Sequence, residues 1–175
     1  VPYLVGNWTN LRYLYLGHNS LTGSLPLSLQ FMRLLYTIDV SGNQLTDFPT
    51  ALPDNLRQLY LANNLLTGTL PSVVCNMSGL NSLDVGFNSL TGTLPDCVAA
   101  MSRLGGLTLS SNSLTGTIPT GFFNTQELLL DHNLFDGTLP AVGSGFAWLL
   151  DLSHNALTGP LTSVIAEGNF VRYLN

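Results

Sequence analysis

The sequence predicts an α/β solenoid of about seven stacked units, each 21–24 residues long. Three observations predict it. Seven asparagines, Asn19, Asn43, Asn64, Asn88, Asn112, Asn133 and Asn155, recur at intervals of 24, 21, 24, 24, 21 and 22 residues. Ahead of each stand two aliphatic residues in alternate positions: Leu14/Leu16, Ile38/Val40, Leu59/Leu61, Leu83/Val85, Leu107/Leu109, Leu128/Leu130 and Leu150/Leu152. Hydrophobic residues make up 45% of the chain, as a repeat that sends an aliphatic side chain inward at most alternate positions requires. Self-similarity at a period of a few tens of residues means supersecondary units that bury their apolar faces only by stacking.

Each unit reads L-x-x-L-x-L-x-x-N-x-L-T-G-x-L-P, followed by about eight residues with two apolar positions. The L-x-L step is a short strand, with both leucines inward and the residue between them outward. Successive strands are parallel, because the chain returns each time in the same sense. The asparagine then turns inward, where its amide offers donor and acceptor to backbone groups that a buried turn leaves unpaired. The Leu-Thr-Gly-x-Leu-Pro stretch is extended; its glycine permits positive φ or close packing, and proline ends it. Residues such as Pro71 to Gly79 hold a short helical turn on the outer side.

This register sets the units at 11–34, 35–55, 56–79, 80–103, 104–124, 125–146 and 147–170, within a single solenoid spanning 1–175. A partial unit occupies 1–10, with Val1-Pro2 in the place of Leu25-Pro26, and another opens at 171–175. Neither end reads as an atypical capping unit of the kind that shields a solenoid's terminal layers. The expectation is a segment of a longer array.

Composition narrows the function classes. Charged residues are 9% of the chain, lysine is absent and the net charge is −5. Nucleic-acid binding needs a basic stripe to displace counterions, and the five arginines do not supply one. No run of 18 or more apolar residues occurs, so no segment reads as a membrane span. No nucleophile elbow, phosphate loop or metal motif appears. Asp39 and Asp84 stand two strands apart, roughly 10 Å, but without a pocket to raise one carboxyl they do not make a glycosidase pair. Catalysis, a metal and a cofactor are not expected.

The hydroxyl-rich, weakly charged surface suits a secreted protein. Two sequons, Asn7-Trp8-Thr9 and Asn76-Met77-Ser78, share one repeat position, with three residues between each asparagine and the next unit. N-glycosylation is expected at Asn7 and Asn76. Cys75 and Cys97 lie in adjacent units after Pro71 and Pro95, at repeat positions that differ by two. Two free thiols and one disulfide between neighbouring coils are both open readings.

The motifs Leu21-Thr22-Gly23-Ser24-Leu25-Pro26, Leu66-Thr67-Gly68-Thr69-Leu70-Pro71, Leu90-Thr91-Gly92-Thr93-Leu94-Pro95 and Leu114-Thr115-Gly116-Thr117-Ile118-Pro119 resemble the leucine-rich repeat, plant-type class. The resemblance covers the whole chain. It departs at Leu45-Thr46-Asp47-Phe48-Pro49, which is one residue short, and at Ala51-Leu52-Pro53-Asp54-Asn55, which is similar to short bacterial-type repeats. The resemblance implies a curved coil whose parallel β-sheet lines the concave face, and an extracellular or cell-surface recognition role.

The outward strand residues are then the candidate site. Arg12, Tyr13, Tyr15, Tyr36, Asp39, Arg57, Gln58 and Tyr60 form its richest part, with Tyr15, Asp39 and Tyr60 in one lateral row. Tyrosine and arginine supply large contact area at low entropic cost. The middle of the face, Asn81, Ser82, Asp84, Gly86, Gly105, Gly106, Thr108, is bland. His132 and His154 occupy equivalent places, but like His18 each precedes a ladder asparagine, which marks them as repeat filler rather than ligands. The expected function is non-catalytic recognition of a protein, peptide or glycan. The alternative is a structural segment of a surface, wall or filament glycoprotein, packed against neighbouring subunits with no dedicated ligand.

Overall fold

The computed structural model describes residues 7–119, 121, 122, 125–139, 148–160 and the strand at 173–174. The Val1-Pro2 step, the outer segments at 140–147 and 161–170, and most of the eighth opening lie outside the described residues.

Strands are numbered in chain order. The long sheet has eight parallel strands: β1 (Tyr13–Tyr15), β3 (Thr37–Asp39), β5 (Gln58–Tyr60), β7 (Ser82–Asp84), β9 (Gly106–Thr108), β11 (Glu127–Leu129), β13 (Leu149–Asp151) and β14 (Tyr173–Leu174). Their register puts Leu14, Ile38, Leu59, Leu83, Leu107, Leu128 and Leu150 in one line, as the period requires. The Leu-Thr-Gly stretches do more than run extended. They pair as β2 (Thr22–Gly23) with β4 (Gln44–Leu45), and as β6 (Thr67–Gly68), β8 (Ser89–Gly92), β10 (Ser113–Gly116) and β12 (Leu134–Phe135), giving two small parallel sheets. Among the described residues, 3-10 helices at Leu27–Phe31 and Ser72–Asn76 and one α-helical turn, α1 (Asp96–Ala99), run along the outer side.

Between the sheets lies one continuous aliphatic core, with Ile38, Leu59, Leu83, Leu107 and Leu128 fully buried. Full burial of each such side chain contributes about 1.5–3 kcal/mol. The asparagine column holds the turns. Asn88 donates to the carbonyls of Leu61, Val85 and Gly86, and its Oδ1 accepts from the Leu66 N–H, so one amide ties two coils together. Asn43, Asn64, Asn112, Asn133 and Asn155 repeat the pattern. The residue before the asparagine is left-handed in six units, with φ of 52–55° at His18, Asn63, Phe87, Ser111, His132 and His154, while Gly42 fills the remaining place at 63°.

The glycine of Leu-Thr-Gly serves both purposes open to it. Gly92 has φ +77°, and a Cβ there would stand 2.9 Å from the Thr69 methyl of the preceding unit. On the outer side Cys75 and Cys97 are joined by a disulfide, with a Cα–Cα distance of 5.8 Å. Among the described residues no helix is long and apolar enough to cross a membrane.

Candidate functional site

On the free face of the long sheet, three lateral rows follow from the strand register. The first runs Arg12, Tyr36, Arg57, Asn81, Gly105, Gln126, Trp148, one residue ahead of the strand starts. The second runs Tyr13, Thr37, Gln58, Ser82, Gly106, Glu127, Leu149. The third runs Tyr15, Asp39, Tyr60, Asp84, Thr108, Leu129, Asp151.

Of the eight residues singled out in the sequence, four are open to solvent: Arg12, Tyr13, Tyr15 and Tyr36. The tyrosines form a cluster. The Tyr13 and Tyr15 rings are parallel within 4° at 6.4 Å, and Tyr36 lies 6.0 Å from Tyr13 at a tilt of 54°. Tyr15 is 64% exposed and Tyr13 52%, so neither serves the core.

The other four are half-buried and partly engaged. Asp39 Oδ1 accepts from the Ser41 N–H at 3.0 Å and the Ser41 hydroxyl at 2.6 Å. Asp84 and Asp151 accept likewise from the N–H two residues on, at Gly86 and Ser153. The aspartates of this row therefore close a local turn, a use signalled by Asp-x-Ser or Asp-x-Gly. Gln58 accepts from the Thr37 hydroxyl at 2.8 Å, and Thr37, although it stands in an outward row of the strand alternation, is fully buried. Arg57 turns its guanidinium over Gly79, where a Cβ would stand 1.5 Å from Nη1. Of these four, Arg57 and Tyr60 make no side-chain hydrogen bond among the described residues.

Further along, the small residues read as bland floor a depression of about 200 Å³. Asn81, Ser82, Gly105 and Gly106 lie at its base, Gln58, Gln126 and Glu127 line it, and Tyr60 and Trp148 stand at its two ends. At about 4.8 Å per strand, those ends are roughly 19 Å apart. The signal for this site was the Gly105-Gly106 pair occupying two outward positions between aromatic residues of flanking units. Asp84 borders the same region. Burial, chiefly, pushes its carboxyl above the ordinary value; the charges of Asp39 and Glu127 reinforce this, and the Gly86 N–H opposes it.

Near the other end of the face, His132 and His154 stack at 4.0 Å, and His132 Nδ1 lies 3.0 Å from Asp131. Burial raises the Asp131 carboxyl, but hydrogen bonds from Ser110 and His132 outweigh it and hold the group below the ordinary value. Among the described residues no group of three His, Cys, Asp or Glu converges as a metal site would need.

Family comparison matches this architecture. A "Leucine Rich repeats (2 copies)" model matches residues 9–53 and a "Leucine rich repeat" model matches residues 54–114. The chain is a leucine-rich-repeat protein. Among solved structures, this leucine-rich-repeat chain is 31% identical to the BIR2 ectodomain from Arabidopsis thaliana, covering 83% of itself and 68% of that chain, with a TM-score of 0.61. It is 32% identical to the Arabidopsis receptor kinase HAESA ectodomain in complex with an extended IDA peptide hormone, covering 100% of itself and 30% of that chain at a TM-score of 0.80. It is 33% identical to PEPR1 in PEPR1–AtPEP1, covering 91% of itself and 24% of that chain at a TM-score of 0.79. The chain spans 24–34% of the length of the first receptor chains it matches. A search of curated proteins by sequence finds no match.

Proposed function

We propose that this leucine-rich-repeat chain is a non-catalytic extracellular recognition module that binds a protein, peptide or glycan on its concave face. The observation that carries the reading is the Tyr13–Tyr15–Tyr36 cluster, a group of exposed aromatic rings that packs into no core and stands beside Arg12. The few residues that dominate binding at a contact surface are enriched in tyrosine and arginine. Support comes from the receptor ectodomains above, two of which were solved with peptides.

N-glycans at Asn7 and Asn76 belong to the same reading. Both side chains are exposed, and Asn76 ends the 3-10 helix on the outer side, away from the sheet face. An oxidising, extracellular setting is also the one in which the Cys75–Cys97 bridge persists.

The test is a comparison of the native chain with a Tyr15→Ala/Tyr36→Ala/Tyr60→Ala variant against a displayed peptide library and a glycan array. Ligands of the native chain are expected to bind the variant at least tenfold more weakly, with the melting temperature little changed. Equal binding by a folded variant sinks this site assignment.

A further inference from the structure

We propose that the ligand of this face is an extended peptide, and that it places a basic side chain over Gly106, in the depression between Tyr60 and Trp148. The inference rests on the recognition reading above and adds the chemistry of the occupant.

Three observations point there. The first is shape. Gly105 and Gly106 leave the floor of the depression without side chains, so a ligand can approach the backbone of β9 while Tyr60 and Trp148 bound it at either end. The second is charge. Asp84 pairs with Thr108 on one side of β9, and Glu127 pairs with Gly106 on the other. Two strand intervals, roughly 10 Å across the sheet, separate them, and Asp84 stands one outward position further along, so a cation above β9 that reaches from Gly106 toward Thr108 lies between both carboxylates. Among the described residues no counter-ion is supplied: the one ion pair is His132–Asp131, and Glu127 makes no side-chain hydrogen bond or ion pair. The third is the flank. Aromatic faces beside a carboxylate suit an arginine or lysine, whose alkyl stem packs on rings and whose head seeks the anion.

A bare metal ion fits less well. Metal–oxygen bonds of about 2.0–2.6 Å demand donors that converge, and no such group of three occurs among the described residues. A neutral glycan would leave the two carboxylates uncompensated. A peptide joins this site to the tyrosines: from β9 to β3 is three strand intervals, roughly 14 Å, or about four residues of extended chain. The expected ligand therefore carries an Arg or Lys about four residues from an aromatic or apolar side chain that meets Tyr36 and Tyr15.

The probe is a displayed library of random twelve-residue peptides panned against the full chain, followed by affinity measurements on the peptides recovered. Enrichment of one basic residue at a fixed spacing from an apolar one is expected. Replacing that residue by norleucine should weaken binding at least tenfold, and so should Glu127→Gln. The two changes together should cost little more than either alone. Glu127→Gln removes no hydrogen bond, so its melting temperature serves as the folding control, and Asp84→Asn, which keeps an acceptor for the Gly86 N–H, is the second variant. Peptides without a basic residue, an absence of any binder, selective binding of neutral oligosaccharides, or affinity untouched by both variants each overturn the inference. Should binding fall with Tyr15→Ala but not with Glu127→Gln, the recognition face stands and the cation site falls. Should neither change matter, both readings fall.

Discussion

At the scale of single residues, the asparagine column divides by position in a way that stability measurements can read. Asn112 donates to the carbonyls of Val85, Leu109 and Ser110 and accepts from the Leu90 N–H. The Asn19 side chain bonds only to Leu16 and Gly17 of its own turn among the described residues, and the residue is exposed. Asn112→Ala leaves several backbone groups stranded, at about 1–3 kcal/mol for a buried one. It is expected to lower unfolding free energy by about 2–4 kcal/mol in urea titration, against under about 1 kcal/mol for Asn19→Ala. The column was legible in the sequence because one residue type recurs at one period. Its left-handed neighbour was not. Gly42 and Asn63 suit positive φ, but Phe87 and Ser111 carry no such preference, and Phe87 adopts it because its N–H is held by Ser110 of the next coil at 2.8 Å. Tertiary stacking overrides local preference there.

At the scale of elements, strand order and register followed from alternation alone, whereas the outer segments did not. The repeat period says that Cys75 and Cys97 occupy neighbouring coils. It does not say that one sits in a 3-10 helix and the other in an α-helical turn, so it leaves the sulfur separation undetermined. The resulting bridge closes a loop with a sequence separation of 22. A loop of that length constrains the unfolded chain by about 3 kcal/mol in the chain-entropy account. Cys75→Ser/Cys97→Ser is therefore expected to lower stability by about that amount, with coils 56–103 losing amide-exchange protection first. A variant as stable as the native chain would show that stacking alone fixes these coils. The small outer sheets follow the same logic: the Thr-Gly stretches were readable as extended, but their pairing depends on Thr69 seating its methyl against Gly92 across the coil boundary.

For the molecule as a whole, the tyrosine cluster was legible because outward positions can be counted, whereas the depression, made of missing side chains, left only the Gly105-Gly106 pair as its signal. The same lack of counter-charge has a thermodynamic signature at Asp84. Its folded carboxyl titrates above the ordinary value, through burial first and then the charges of Asp39 and Glu127, while the unfolded carboxyl titrates normally. Between those two values the folded state holds more protons than the unfolded one, so stability falls as pH rises through that window. Below it both states are protonated and no penalty exists. Above it the ionised Asp84 burdens the fold in full. Asp84→Asn keeps an acceptor for the Gly86 N–H and removes the charge. It is expected to be more stable than the native chain at pH 7, with the advantage shrinking as pH falls and gone below the usual carboxylate range. Glu127→Gln relieves one of the lesser causes and should give a smaller gain of the same sign. Parallel stability–pH curves for the native chain and Asp84→Asn would mean that water or rearranged side chains compensate the buried charge.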